Sequence, residues 1–369
     1  MKPTATEYCR CTKDCAARRH RRCVRQPGRS QGSARGVAEQ NMKRCIVFGG
    51  AGFLGAHIIP RLCGNARLVV CVDRFERAPA HLPAGCAYVR ASEKPTFFAE
   101  LLQRGDEVVD LAYSSVPKTS YEDPVSDILE NLPRLVKLCR AATANRIGKI
   151  VMMSSGGAVY GKATSLPISE DCPTNPVSPY GITKLAIEKY AQMYHVAEGL
   201  PVICLRPGNA YGAAQLPFRG QGFIATAIAS VLSGIPVEIF GESGTIRDYI
   251  HAGDIASLVE RVLDVGAPGS VFNVGTGRGT SNLDIISQLR PLAASANLDV
   301  RLKTQPSRPF DVTENVLDSS RAKQATGWGP TTGLEEGLAA AWNWYASNHD
   351  KWAQALPAAG TRPQCSCSR

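Results

Sequence analysis

Short, unbroken apolar runs recur through the first half of the chain, each followed by residues of helical period. The runs at 44–48, 68–73, 108–112 and 149–154 have the length and continuity of strands buried on both faces. Residues after Gly55 to about Leu62, 125–143 (despite Pro133) and 179–197 read as helices. Strand and helix in alternation predict an α/β fold, a doubly wound parallel sheet covered on both faces. In the second half the alternation loosens. Residues 222–233 are helical and 237–240 strand-like, the expected outer wall of a smaller, discontinuous C-terminal domain, and a last amphipathic helix follows Gly327-Trp328. The predicted organisation is an extension at 1–41, a first domain at 42–206, a second mainly at 207–347 with segments returning to the sheet, and a tail at 348–369.

Charge sharpens the first boundary. The 369 residues carry a net +10, of which 1–41 hold +7 and everything after them only +3. That extension is nearly free of aliphatic residues and has no period, so it reads as disordered. It lacks the apolar stretch of a secretory signal, nucleic-acid binding is not expected, and an over-long start before Met42 is its simplest account. Its cysteines (Cys9, Cys11, Cys15, Cys23) follow no zinc-ligand spacing. Others, such as Cys45, Cys71 and Cys204, lie in apolar strands as small hydrophobes, which suits a reducing, cytoplasmic setting. No stretch reaches the roughly 20 apolar residues of a membrane span.

Two stretches carry candidate chemistry. The first strand runs into Gly49-Gly50-Ala51-Gly52-Phe53-Leu54-Gly55 and then a helix. Glycines there allow a tight turn and a backbone bare enough to approach a pyrophosphate at the helix start, the dinucleotide-binding arrangement of a Rossmann sheet. The second strand ends at Asp73, 18 residues after Gly55, placed to hold ribose hydroxyls and to favour NAD. The other stretch is Ser178-Pro179-Tyr180-Gly181-Ile182-Thr183-Lys184. Serine cap and proline start a helix, and Tyr180 and Lys184 then project from one face, a turn apart. The ammonium is expected to favour the phenolate and bring Tyr180 towards working pH, making it a base.

With these motifs in this order, the chain from about 43 to 347 resembles the extended short-chain dehydrogenase/reductase family, and within it the nucleotide-sugar epimerases and dehydratases. Supporting segments are Asp110-Leu-Ala-Tyr113 (an H-x-A-A stretch), Ser154-Ser-Gly-Gly-Ala-Val-Tyr-Gly161, Arg206-Pro-Gly-Asn-Ala-Tyr-Gly212, Arg247-Asp-Tyr-Ile-His251 with Asp254, Asn273-Val-Gly-Thr-Gly277, and Arg308-Pro-Phe-Asp311. The resemblance implies NAD held by Gly49, Gly52, Phe53, Leu54, Gly55, Asp73, Ala112, Asn131, Tyr180 and Lys184. It implies a nucleotide-diphosphate sugar, most simply a UDP-sugar, held by Ser155, Tyr180, Asn209, Arg247 and Arg308. It also implies a homodimer through the helices near 125–143 and 179–197.

The departures shape the expected activity. The family's catalytic hydroxyl lies five residues before the glycine of the Y-G pair, which is Gly156 here, so Ser155 is its substitute. The dehydratases' acid pair is replaced by Gly157 and Ala158, and the lysine after H-x-A-A by Ser115. Without those acids, the expected reaction is C4 epimerisation of the UDP-glucose/UDP-galactose type through a 4-keto sugar. Tyr180, Lys184 and Ser155 would be its catalytic residues. A nucleotide-sugar 4-ketoreductase or dehydrogenase, or an NAD-binding sensor without chemistry, are the alternatives. No metal is implied.

Overall fold

The computed structural model describes residues 42–242, 244–307 and 312–356. The first half holds β1 (Lys43–Phe48), α1 (Gly55–Gly64), β2 (Arg67–Asp73), β3 (Ala87–Arg90), α2 (Phe97–Leu101), β4 (Glu107–Asp110), α3 (Pro117–Glu122), α4 (Pro124–Ala144), β5 (Lys149–Met153), α5 (Gly156–Val159), α6 (Pro179–Glu198) and β6 (Val202–Pro207). Then come β7 (Asn209–Tyr211), α7 (Phe223–Leu232), β8 (Val237–Phe240), β9 (Ile246–His251), α8 (Ala252–Val265), β10 (Val271–Val274), β11 (Gly279–Ser281), α9 (Asn282–Ser295), β12 (Leu302–Gln305), β13 (Glu314–Asn315), α10 (Ser320–Thr326), α11 (Leu334–Ser347) and α12 (His349–Trp352).

Seven parallel strands make the main sheet in the order β10-β6-β5-β4-β1-β2-β3. The continuous apolar runs reflect burial of both faces. In β1, Cys45 and Val47 enter the core under α1 and α8, while Ile46 and Phe48 enter the core under α4 and α6. Side chains such as Leu138 have no exposed surface, and truncating one to alanine costs about 2–5 kcal/mol. The chain runs outward from β1 to β3 and returns to start β4 on the other side of β1. The crevice opened by that reversal lies at the carboxyl ends of β1 and β4, where ligands bind in such sheets.

The second half is built on β9, which pairs antiparallel with β11 and parallel with β13 and β7. Two of its segments go back to the first sheet: β10 becomes the edge strand beside β6, and α8 packs on α1. Helix α7 is not the outer wall that its sequence suggested. Seven of its side chains are buried between β8, α9 and α11, because its Ala and Ile residues are apolar all round.

Candidate active site

The glycine loop closes over the end of β1. Gly49 has φ +72°, and a Cβ on it would lie 2.7 Å from the Ala112 nitrogen, so the loop and the end of β4 touch through bare backbone. At Gly52 a Cβ would meet only the Gly49 carbonyl, at 3.3 Å, and the remaining space is open. That opening is where a pyrophosphate can approach. The amides of Phe53, Leu54 and Gly55, at the start of α1, find no acceptor among the described residues. Asp73 accepts the Ala51 amide at 3.0 Å and the Arg74 amide at 2.8 Å, fixing the carboxylate beside the loop. An open cavity of about 530 Å³ follows, lined by Ala51, Phe75, Glu76, Arg77 and Pro79. Free amides, bare backbone, an anchored acid and room for a base fit a dinucleotide.

Tyr180 and Lys184 lie on the first turns of α6. Ser178 caps that helix, its hydroxyl accepting the Gly181 amide at 3.1 Å, and Pro179 opens it. The Tyr180 amide in turn donates to Ser120 Oγ at 3.1 Å, tying the helix start to α3. Both side chains are buried, Tyr180 at 7% and Lys184 at 6% exposure. Lys184 Nζ donates to the Met153 carbonyl at 3.0 Å. The Ser155 hydroxyl lies close enough to the Tyr180 phenol to oppose the rise that burial imposes on it.

The electrostatics reverse one expectation. Burial pushes the Tyr180 phenol up to about 12, with the nearby Ser155 hydroxyl opposing and the Asp127 charge adding to the rise. Burial likewise brings Lys184 down to about 8, against the pull of Asp110. Lys184 does not lower the phenol here, because its Nζ points to Met153 and sits 5.8 Å from the Tyr180 ring centroid. Desolvation disfavours the charged form of each group more strongly than either group's charge helps the other.

Two residues that sequence reasoning passed over complete the site. Tyr113 packs edge-on against Tyr180, ring centroids 5.2 Å apart, and its ring face lies 3.9 Å from Lys184 Nζ. Asp127, on α4, accepts from Tyr113 Oη at 3.0 Å, from Thr183 Oγ1 at 2.5 Å and from Ser115 Oγ. The available signal was the phase of the helix: Asp127 is a full turn before Asn131 on a face that is otherwise buried.

The comparisons with known proteins bear on this site. A model of the NAD dependent epimerase/dehydratase family matches residues 45–275. The chain belongs to that family. The UDP-glucose 4-epimerase of Mycolicibacterium smegmatis is 32% identical over 304 residues, covering 80% of this chain and 96% of its own. Among solved structures, UDP-glucose 4-epimerase of Thermotoga maritima with UDP-glucose aligns with a TM-score of 0.77 at 30% identity, covering 82% of this chain and 99% of that one. The Thermus thermophilus UDP-glucose 4-epimerase complexed with NAD gives 0.75 at 29% identity, over 83% and 99%. NAD is the cofactor.

Within the family, the departures in this chain have structural reasons. Gly156 cannot carry the hydroxyl, since a Cβ there would lie 2.8 Å from the Arg206 carbonyl and 2.6 Å from Leu317 Cδ1. Ser155, one residue earlier, is the N-cap of α5, and its hydroxyl lies near the Tyr180 phenol. Asp110, in place of the histidine, forms a 2.6 Å ion pair with Arg134. Asn131 spends its amide inside the protein, on the Asp127 carbonyl (2.7 Å) and on Ser114 Oγ and N (3.0 Å each), so it braces the loop after β4 rather than facing a ligand. Asn209 and Ser155 flank a bare Gly157, whose Cβ would stand 3.5 Å from Asn209 Oδ1 and 4.0 Å from Ser155 Oγ. Arg247, on β9, donates to the Ile246 carbonyl at 2.8 Å. Arg308 lies outside the described residues.

Proposed function

We propose that this enzyme epimerises C4 of a nucleotide-diphosphate sugar of the UDP-glucose/UDP-galactose type. The observation that carries the reading is the burial of Tyr180 and Lys184 one turn apart on α6, with the Ser155 hydroxyl near the phenol. The names of its relatives support the same substrate class. When bound, NAD supplies the hydride acceptor and donor and a cationic ring. Tyr180 would act as the phenolate, a form that the cationic ring of bound NAD would favour over the phenol of the free protein, its Oη taking the proton of the sugar 4-hydroxyl and later returning it. Ser155 holds the 4-oxygen as it becomes a ketone, and Lys184 keeps positive charge beside the phenol. Asn209, Arg247 and Arg308 hold the diphosphate, arginine forks being suited to its paired oxygens. Asp73 takes the ribose hydroxyls of the cofactor. The bare Gly157 and Ala158 leave no acid for water elimination.

The working unit is a homodimer. Val125, Ile128 and Leu129 on α4, with Ile182, Met193 and Val196 on α6, expose apolar side chains on two helices packed side by side, a face suited to a second copy. Among the described residues no helix is long and apolar enough to cross a membrane, and the described cysteines are all free, which suits the cytoplasm.

The test is proton NMR of the protein with UDP-galactose and catalytic NAD. UDP-glucose should appear with no accumulation of NADH. Stoichiometric NADH would replace the epimerase by a dehydrogenase, and no conversion of this or the N-acetyl sugars would remove the substrate class.

A further inference from the structure

Lys184 has an unusual neighbourhood for a buried cation. Among the described residues it has one hydrogen bond, to the Met153 carbonyl, and no ion pair. Three carboxylates lie near enough to act on it, and each is engaged elsewhere. Asp110, at the end of β4, is paired with Arg134 of α4, whose own charge opposes that of Lys184. Glu188, one turn on along α6, is paired with Arg206 at 2.6 Å. Asp127 of α4 is surrounded by the hydroxyls of Tyr113, Ser115 and Thr183. The remaining face of the ammonium is covered by the ring of Tyr113, at 3.9 Å.

We propose that Tyr113 is a positioning residue whose ring face holds the Lys184 charge and whose hydroxyl is locked in place by Asp127. The negative face of an aromatic ring attracts a cation most strongly where water is excluded. The Tyr113 phenol itself is raised well above its ordinary value by burial and by Asp127, so it stays a donor and keeps its bond. The same ring meets Tyr180 edge-on at 79°, and so fixes the spacing of both reactive groups from one side. The assignment rests on the reading of Tyr180 and Lys184 as the reactive pair, but its test does not require turnover.

The full chain, labelled with 13C at lysine Cε, is titrated by NMR, with the Lys184 signal identified by its loss in Lys184→Arg. Tyr113→Phe, which keeps the ring, should leave the Lys184 midpoint within a few tenths of a unit. Tyr113→Leu should lower it by roughly one unit, since a desolvated cation–π contact is worth about that much. Tyr113→Met, which fills the space flexibly, should do the same and replaces the Leu variant should that one fail to fold. The alkaline limb of turnover should move by the same amount in the Leu and Met variants and not in the Phe variant. A midpoint unchanged in both Leu and Met variants overturns the proposal. A shift in Phe equal to that in Leu also overturns it, by assigning the effect to the Asp127 bond. The expected midpoints with no conversion of any UDP-sugar would leave the proposal standing and remove the reaction assigned above.

Discussion

Ser154 and Ser155 are consecutive, yet their hydroxyls serve different partners. Ser154 Oγ donates to Glu188, which is held by Arg206 in a buried ion pair, while the Ser155 hydroxyl lies near the Tyr180 phenol and opposes its rise. Ser155→Ala should therefore lower kcat about 10²–10³-fold, as loss of one oxyanion donor does, with NAD affinity and melting temperature kept. Ser154→Ala should do the reverse, costing about 1–3 kcal/mol in urea unfolding and leaving kcat of the folded enzyme near wild type. Equal loss of kcat in the two variants would remove Ser155 from its role.

Restoring a serine at Gly156, where the family places its hydroxyl, should not help. The new Cβ would press on the Arg206 carbonyl at 2.8 Å, and backbone there has little room to move. Gly156→Ser should cost about 1–3 kcal/mol and should not rescue Ser155→Ala. Rescue would mean that the loop after β5 can take the family's usual path.

Asp73 should matter to the cofactor more than to the fold. Among the described residues, its carboxylate accepts from two backbone amides at the mouth of the loop. Asp73→Ala should weaken NAD binding roughly 10–100-fold, the range for hydrogen bonds to a charged group. Calorimetric titration with NAD measures it, and unchanged affinity would move ribose recognition elsewhere.

The main sheet and the Tyr180–Lys184 pair were legible because both depend on local spacing. Continuous apolar runs mark strands buried on two faces, and four residues make a helical turn. Ser155 against Gly156 was not decidable by counting, since the answer depends on how near Arg206 and Leu317 come to the backbone after β5. Tyr113 and Asp127 come from the end of β4 and from α4, and meet only once the sheet has formed. The rise of the Tyr180 pKa was missed for a related reason. Spacing put an ammonium one turn away, but burial, which spacing does not report, acts on both groups more strongly than either acts on the other.

The exposed apolar face of α4 and α6 predicts the state of assembly. Leu129 is 63% exposed and Val196 85% exposed, so a charge at either is easily solvated in a single copy. Leu129→Glu with Val196→Glu should leave a folded protein of half the wild-type mass by light scattering. An unchanged mass, whether monomer or dimer, would assign the face another role.

Lys184 also leaves a signature in stability. Its folded midpoint of about 8 lies below its ordinary 10.5. Between those values the unfolded chain holds the proton and the folded one releases it, so this group makes stability rise with pH across that window. Below pH 8 the full penalty of burying the charge is present. Tyr180, raised to about 12 from 10, acts with the opposite sign, but only above pH 10. Lys184→Met has no charge to bury and lacks the rise. In urea unfolding its stability advantage over wild type should shrink by roughly 2–3 kcal/mol between about pH 8 and 10. An advantage that stays constant over that range would mean that the ammonium reaches solvent or a carboxylate, and that Lys184 is not held by Met153 and Tyr113 alone.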